Sequence, residues 1–173
     1  WRTVAKNKDD IPDDAELELL NDAEARYVSR GGLKLEGALR TTGLDVTGKL
    51  CLDVGQSTGG FTDCLLQHGA ARVVGVDVGQ GQLHQRMRED ERVLCIEQVN
   101  ARALVATDLI AACAEEAVAE GQFDLEFAVV VADLSFISLT LVLPAVVPFL
   151  AADGDLLVLV KQQFELQPGQ VGK

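Results

Sequence analysis

The stretch LDVGQSTGGFTD, residues 52–63, joins an apolar run to a glycine-rich turn and then to the start of a helical pattern. The apolar run that leads into the turn, KLCLDV, is typical of a short buried strand. Glycine at the turn permits a tight bend and lets the following helix begin close to the strand and to a ligand. A strand, a glycine loop and a helix in this order predict the ligand-binding edge of a doubly wound α/β sheet.

The rest of the chain repeats the alternation of strand and helix. Predicted strands cover residues 49–55, 71–78, 93–98, 127–135 and 155–162, and predicted helices cover residues 33–43, 57–69, 81–90, 103–120 and 139–151. The strands are continuous apolar runs, which is typical of a parallel sheet covered by helices on both faces. The predicted fold class is therefore α/β and Rossmann-like, with a doubly wound and mostly parallel sheet. Residues 1–25 look like a polar lead-in, in which the sequence allows a short helix over 14–20.

Two acidic residues indicate which ligand the glycine loop would bind. Asp77 ends the second strand, 22 residues after Gly55, where a carboxylate can accept hydrogen bonds from both ribose hydroxyls of an adenosine-containing cofactor. Asp53 precedes the loop, and its charge would repel a pyrophosphate but suits the cationic, amino-acid end of S-adenosylmethionine. The loop also lacks the second glycine of the dinucleotide fingerprint, and no Walker A motif follows it. These features favour S-adenosylmethionine over NAD, with a purely structural glycine turn as the alternative.

Charged residues end two further apolar strands. Asp133 ends the fourth strand and Lys161 ends the fifth, so both side chains are expected at the same edge of the sheet as the glycine loop. An ammonium group beside a carboxylate can orient a substrate hydroxyl and ease its proton loss during methyl transfer. Enzymes that methylate amines more often carry N-P-P-[FY] at this position, and the run DLSF at 133–136 favours a hydroxyl substrate. Either charge alone is equally consistent with simple solvation.

The formal net charge of −12 disfavours a nucleic acid as a simple partner, but the charge is unevenly distributed. Residues 9–24 contain eight acidic side chains and no basic one, whereas residues 26–49 contain five basic and two acidic side chains. The basic stretch includes Arg26 and Arg30, which we expect to contact phosphate groups of RNA. The glycine pair at 31–32 is expected to let the chain turn into the first helix and approach a nucleic acid closely.

The same sequence disfavours several classes of protein. The longest apolar region, residues 127–150, is broken by polar residues and prolines, so no membrane-spanning helix is expected. The four cysteines have no zinc-ligand spacing and the two histidines lie far apart, so no metal site is expected. The cysteines are interpreted as reduced thiols of a cytoplasmic protein, and the histidines as residues at the surface or at helix ends.

Four stretches together resemble the TlyA or hemolysin A family. They are YVSRGGLKLEGAL at 27–39, the run at 43–83 that contains the glycine loop, ADLSFISL at 132–139 and LVKQQFE at 159–165. Members of this family are S-adenosylmethionine-dependent ribosomal RNA 2′-O-methyltransferases with an FtsJ-like catalytic domain. The resemblance therefore implies S-adenosylmethionine as the cofactor and ribosomal RNA within a ribosomal subunit as the partner.

The resemblance also implies roles for individual residues. FtsJ-like enzymes surround the ribose 2′-hydroxyl with a Lys-Asp-Lys-Glu tetrad, and Lys34, Asp133 and Lys161 match its first three members. The Glu of the tetrad is expected in a segment beyond residue 173, and Glu165 is not its counterpart. The residues expected to bind the methionine part of the cofactor are Asp53, Gly55, Ser57, Thr58, Gly59, Gly60 and Phe61, with Asp77 at the ribose and Asn100 near the adenine.

The same resemblance divides the chain into two parts. Residues 1–25 are expected to be a linker after an S4 RNA-binding domain that this chain lacks, and residues 26–173 an FtsJ-like domain without its last C-terminal strands. Gln56, Gln80 and Gln162 depart from the residues that are usual in the family. Two alternatives stay open, namely a membrane-active hemolysin and a Rossmann-type enzyme of another kind, such as a dehydrogenase or a small-molecule methyltransferase.

Overall fold

The computed structural model describes residue 12, residues 26–114 and residues 125–166. Within these ranges the strands are β1 Leu50–Val54, β2 Arg72–Val76, β3 Val93–Ile96, β4 Phe127–Ala132 and β5 Leu150–Val158. The helices are α1 Gly31–Thr42, α2 Gly60–Gln67, α3 Gln85–Arg88, α4 Ala106–Ala114, α5 Leu139–Val146 and α6 Gln162–Glu165, with 3₁₀ turns at Ala101–Ala103 and Val147–Phe149. The strands pair in parallel in the order β3-β2-β1-β4-β5.

Helices cover both faces of the sheet, because consecutive residues of a strand point to opposite sides. On β1, Cys51 belongs to a buried cluster that includes residues of α1, α2 and α3, whereas Leu52 belongs to a cluster that includes residues of α4 and α5. Both side chains are fully buried. The prediction of a doubly wound, mostly parallel α/β fold is confirmed.

The strand order creates the crevice in which the site lies. From β1 the chain passes through α2 to β2 on one side, whereas β4 pairs with the other side of β1. Connections that leave a parallel sheet in opposite directions open a crevice at the carboxyl ends of the two strands. Val54 at the end of β1 is paired with Ala132 at the end of β4, so the glycine loop and Asp133 begin side by side.

The fifth strand begins earlier than predicted. The helix predicted over 139–151 ends at α5 and is followed by a 3₁₀ turn that contains Pro148. β5 starts at Leu150 rather than at residue 155, because Leu150 already pairs with Phe127 before the register of the two strands shifts. The sequence hides this start, since Ala151 to Asp155 interrupt the apolar run.

Two helices also begin later than predicted. The helix expected over 81–90 consists of α3 alone, because the His84 side chain accepts a hydrogen bond from the Arg86 N–H and caps the helix there. The helix expected over 103–120 begins at α4, after a 3₁₀ turn. The helix allowed over 14–20 and the linker expected over 1–25 lie outside the described residues, apart from residue 12.

Two cysteines of the described ranges are buried, and both histidines lie at helix ends. Cys51 and Cys64 are buried free thiols, and burial raises the pKa of each to about 12. His68 and His84 lie at the ends of α2 and α3, as predicted. In the part of the chain that the structure describes, no helix is long and apolar enough to cross a bilayer.

Candidate active site

A cavity of about 710 Å³ opens at the carboxyl edge of the sheet, beside the ends of β1, β2 and β4. The loop from β1 to α2 forms one wall, and the start of α1 and the loop after β4 form another. The predicted site residues on these walls are Lys34, Gly55, Ser57, Thr58, Gly60, Phe61, Asp77, Asn100, Asp133 and Lys161. The structure therefore brings ten of the twelve predicted cofactor and catalytic residues to one cavity, the exceptions being Asp53 and Gly59.

The glycine loop lets the backbone run close to the loop that carries Asp133. Gly55 has a φ of 84°, and a Cβ at this position would lie 2.8 Å from the Leu134 side chain. The Gly55 N–H donates to the carbonyl of Val76 at 2.9 Å, which ties the loop to the end of β2. A side chain at position 55 would therefore be strained and would collide with its neighbour.

The starts of α1 and α2 are packed tightly against each other. A Cβ at Gly60 would lie 2.2 Å from Ser29 Oγ, and a Cβ at Gly32 would lie 2.3 Å from the Tyr27 ring. Gly31 and Gly32 are the first two residues of α1, and neither has a positive φ, so the predicted turn into the helix does not depend on glycine at these positions. The space beside Gly32 is filled by protein, however, so its lack of a side chain serves packing rather than the close approach of a nucleic acid.

Asp77 and Asn100 shape the wall where the ribose and adenine are predicted. Asp77 Oδ2 accepts from the Ser57 N–H at 2.7 Å, and Oδ1 accepts from the Gly79 N–H at 2.7 Å. Each carboxylate oxygen has a further lone pair with which to accept a hydrogen bond from a ligand. Asn100 Oδ1 accepts from the Arg102 N–H at 3.1 Å and so caps the 3₁₀ turn that follows. Both predicted residues thus line the cavity and also hold its wall in place.

Asp53 lies beneath the glycine loop and does not line the cavity. Its side chain is 1% exposed, and Oδ2 accepts from Thr62 Oγ1 at 2.7 Å. Thr62 Oγ1 in turn accepts from Gln56 Nε2 at 2.9 Å. Burial raises the pKa of Asp53 to about 7. The carboxyl group predicted at the methionine end is therefore connected to the loop from below through Thr62.

Lys34, Asp133 and Lys161 converge from three parts of the chain. Lys34 lies on α1, Asp133 follows β4, and Lys161 lies between β5 and α6. The Lys34 ammonium donates to Asp133 Oδ2 at 2.8 Å, and Lys161 Nζ forms an ion pair with Asp133 Oδ1 at 2.6 Å. The hydrogen bond of the Lys161 ammonium goes to Ser135 Oγ at 2.7 Å. We call these three charged residues the KDK cluster.

The KDK cluster holds one carboxylate between two ammonium groups. Burial alone would raise the pKa of Asp133, but its close contacts with the Lys161 and Lys34 ammonium groups and their positive charges outweigh burial and hold this pKa below its ordinary value. Asp133 is therefore ionised at neutral pH. The Lys34 side chain is 50% exposed and the Lys161 side chain 20%, so the cluster is open to solvent on the Lys34 side. Such a group can orient a hydroxyl and stabilise a developing oxyanion.

The two arginines predicted to bind phosphate differ in their surroundings. Arg26 forms an ion pair with Glu36 on α1. Arg30 is exposed at the N-terminal end of the same helix, four residues before Lys34. Arg30 is therefore the more accessible of the two to a phosphate group.

Four residues beside the KDK cluster were missed by the sequence reasoning. Phe136 is 92% exposed with a φ of 65°, and its ring centroid lies 5.4 Å from that of Phe164. Ser135 is a partner of Lys161, and Glu165 bonds to the start of α5. A bulky apolar residue in the loop that follows a strand is a sequence signal that points to Phe136. Ser135 and Glu165 carry no comparable signal, because their partners are distant in sequence.

The chain is similar to proteins of a known family and to two curated relatives. Residues 27–173 match the FtsJ-like methyltransferase family. The chain is 49% identical over 162 residues to TlyA of Mycobacterium tuberculosis, a 16S/23S rRNA (cytidine-2′-O)-methyltransferase, and the alignment covers 94% of this chain and 55% of that protein. It is 42% identical over 149 residues to hemolysin A of Brachyspira hyodysenteriae, with 86% of this chain and 56% of that protein covered.

A solved structure shares the fold over most of the chain. It is described as a hemolysin from Streptococcus thermophilus, with a TM-score of 0.73 and 45% sequence identity. The match covers 85% of this chain and 49% of that one. The chain thus spans about half the length of the relatives that it matches.

Proposed function

The chain belongs to the FtsJ-like methyltransferase family, and on this premise we propose that it transfers a methyl group from S-adenosylmethionine to a ribose 2′-hydroxyl of ribosomal RNA. The observation that carries the proposal is the KDK cluster on the wall of the cavity that the glycine loop borders. The name of the Mycobacterium tuberculosis relative states the same class of reaction. A dehydrogenase is disfavoured because the loop at 55–60 lacks the second glycine of the dinucleotide fingerprint.

The cavity suits S-adenosylmethionine in volume and in the groups on its walls. A volume of about 710 Å³ lies within the range of small-molecule sites. The Asp77 oxygens would accept from the ribose hydroxyls, Asn100 would lie near the adenine, and the backbone at Gly55 permits close approach. Asp53 would act on the methionine end through Thr62 and the loop above it. When bound, S-adenosylmethionine supplies an electrophilic methyl group.

The KDK cluster would act on the substrate hydroxyl. Asp133, held ionised between two ammonium groups, accepts the hydrogen bond of the 2′-hydroxyl and so directs its oxygen. Lys34 and Lys161 stabilise the negative charge that develops on that oxygen as its proton passes to the Asp133 carboxylate and from there to solvent. The three side chains need no rearrangement to face one substrate atom, because they already meet at Asp133.

RNA would approach along the start of α1. Arg30, and to a smaller extent Arg26, contact phosphate groups in an otherwise acidic chain. The exposed Phe136 ring offers a face on which a base can stack. The partner in this proposal is ribosomal RNA within a ribosomal subunit, in the cytoplasm. Residues 26–173 serve as the methyltransferase domain, and residues 1–25 as a linker from an S4 RNA-binding domain.

Alkaline digestion of the product RNA tests the proposal. The full-length protein is incubated with ribosomal subunits and S-adenosylmethionine labelled in its methyl group. A 2′-O-methyl group protects the adjacent phosphodiester bond from alkali, so the label is expected in alkali-resistant dinucleotides. Label in mononucleotides would place the methyl group on a base, and absence of label from RNA would exclude an RNA substrate. Lys34→Ala is expected to abolish the signal, whereas Lys49→Ala, a lysine outside the KDK cluster, is expected to retain it.

A further inference from the structure

A second set of polar contacts joins the loop after β4 to the segment after β5. Glu165 Oε2 accepts from Ser138 Oγ at 2.6 Å, and Glu165 Oε1 accepts from the Leu139 N–H at 2.8 Å. We call these contacts the Glu165 clamp. The partners are 27 and 26 residues apart in sequence, so the clamp connects two elements rather than closing a local turn.

The clamp is the last of three contacts between the same two segments, 133–138 and 161–165. At one end, Lys161 reaches Asp133 and Ser135. In the middle, the rings of Phe136 and Phe164 lie against each other in a tilted arrangement. At the other end, Glu165 holds the start of α5. The segment that carries Lys161 is thus aligned along the loop that carries Asp133.

Core packing does little to fix the 161–165 segment. None of the residues of α6 is buried, and β5, from which the segment emerges, is the edge strand among the described residues. The position of Lys161 therefore depends strongly on the contacts that Phe164 and Glu165 make in the same segment. The Glu165 clamp is the most polar of these contacts, and hydrogen bonds to an ionised carboxylate are the stronger kind.

The start of α5 has a cap of its own. Ser138 Oγ accepts from the Thr140 N–H at 3.2 Å, as an ordinary N-cap side chain does. The Leu139 N–H would otherwise lack a partner within the helix, and a carboxylate there also suits the positive end of the helix dipole. Since Ser138 already caps α5, we expect the main effect of Glu165 to be that it fixes the position of the 161–165 segment.

We propose that Glu165 is a positioning residue, which holds the Lys161 ammonium against Asp133 by fixing the 161–165 segment to the start of α5. This inference rests on the function proposed above for the KDK cluster. Glu165 itself would touch neither the cofactor nor the RNA. Its loss would let Lys161 leave Asp133 while the cofactor side of the cavity stays intact.

Lysine labelling tests the clamp without reference to activity. Full-length wild-type protein and its Glu165→Ala and Glu165→Gln variants are treated with formaldehyde and a borohydride reagent, and dimethylation of Lys161 is measured by peptide mass spectrometry relative to Lys49. The labelling of Lys161 is expected to rise severalfold in Glu165→Ala, because a side chain released from Asp133 and Ser135 is more accessible to the reagent. Glu165→Gln keeps an acceptor for the Leu139 N–H and is expected to stay close to wild type. Unchanged labelling in Glu165→Ala would overturn the proposal.

Kinetics separate positioning from a general loss of structure. With both substrates saturating, the single-turnover rate of Glu165→Ala is expected to fall about tenfold, while the Kd for S-adenosylmethionine stays within about twofold of wild type. Glu165→Gln is expected to recover most of the rate, and Glu91→Ala, a change of an exposed Glu far from the clamp, to leave it unchanged. A parallel loss of cofactor binding and rate would overturn the proposal, since Glu165 would then be merely structural. If wild-type protein methylates no RNA, the proposed function fails, and the labelling of Lys161 still decides the clamp.

Discussion

The side-chain amide of Gln56 is buried and fills the space beside Gly75 on β2, where any other residue would place its Cβ. Gln56 is 3% exposed, and its amide atoms lie between 2.0 and 2.4 Å from the point where a Cβ of Gly75 would stand. Its Nε2 donates to Thr62, which donates to Asp53. The Gln56 side chain is therefore accommodated by the absence of a side chain at Gly75.

The contact between Gln56 and Gly75 predicts that substitutions at these two positions have non-additive effects on the free energy of unfolding. Gly75→Ala is expected to lower the free energy of unfolding by about 1–3 kcal/mol, because the added Cβ overlaps the Gln56 amide. Gln56→Ala in the same chain is expected to restore most of this loss, because it vacates the space. Unfolding in urea measures the single and double variants.

A matched control is available on α1. A Cβ at Gly37 meets nothing within 4 Å, so Gly37→Ala is expected to raise stability by roughly 0.5–1 kcal/mol. Strictly additive effects of Gly75→Ala and Gln56→Ala would contradict the coupling.

Asp53 predicts a specific dependence of stability on pH. Its pKa in the folded protein is raised to about 7, whereas an unfolded aspartate has a pKa of about 3.9. Between these values the folded state holds a proton that the unfolded state has lost. The contribution of Asp53 to stability is therefore complete below the unfolded pKa and is lost as the pH rises through the folded pKa, with a slope of about −1.4 kcal/mol per pH unit.

Substitution by an amide isolates this contribution. Asp53→Asn cannot titrate, so the free energy of unfolding of the variant minus that of wild type is expected to become more positive between about pH 4 and about pH 7. Urea unfolding across this range gives the difference. A difference that is independent of pH would show that Asp53 does not titrate there.

The candidate site was only partly readable from individual residues. The ends of strands identified Asp133 and Lys161, and the family resemblance added Lys34, because all three are charged residues at informative positions. The depth of Asp53 was not readable, since a residue directly before a glycine loop can face either the cavity or the helix that packs beneath it. The partners of Ser135 and Glu165 were hidden because they depend on how two separate loops meet.

At the scale of secondary-structure elements, two neighbouring basic residues of α1 are expected to have different roles, one in RNA binding and one in methyl transfer. Arg30 is exposed where the helix begins, and Lys34, one turn later, donates to Asp133. Arg30→Ala is expected to weaken RNA binding and to reduce the slope of log K against log salt by about 1, because one phosphate contact is lost. Lys34→Ala is expected to leave RNA binding largely intact and to abolish methyl transfer.

Filter binding at several salt concentrations and a transfer assay measure the two effects. Arg40→Ala, which removes an exposed arginine from the last turn of the same helix, serves as the control for a nonspecific loss of charge. If Arg30→Ala and Lys34→Ala both lose only binding, the catalytic role proposed for Lys34 is wrong.

The elements themselves followed from the pattern of apolar runs. The strands β1 to β4 were found because each is a largely apolar run, which is what burial between two layers of helices requires. The early start of β5 was missed, because Leu150 pairs across a register shift that a polar interruption conceals. The starts of α3 and α4 were misplaced because caps and 3₁₀ turns, rather than composition, decide where these helices begin.

On the scale of the whole molecule, topology accounts for the position of the site. Three charged residues that lie 99 and 28 positions apart along the chain meet because β1 and β4 are neighbours at the point where the strand order reverses. The acidic net charge and the local basic stretch are compatible, since a phosphate responds to the surface nearest to it. The chain thus places a cavity bordered by the glycine loop and the KDK cluster at one edge of its sheet.

The central claim is that Asp133, held between Lys34 and Lys161, directs the substrate hydroxyl during methyl transfer. The most direct test is the single-turnover rate of Asp133→Asn in the full-length protein with ribosomal subunits, alongside the Kd for S-adenosylmethionine measured by calorimetry. The amide keeps the size of the side chain and removes its charge, so the rate is predicted to fall by about 100-fold or more while the Kd stays within about twofold of wild type. A wild-type rate in Asp133→Asn, or a fall in rate matched by an equal loss of cofactor affinity, would contradict the claim.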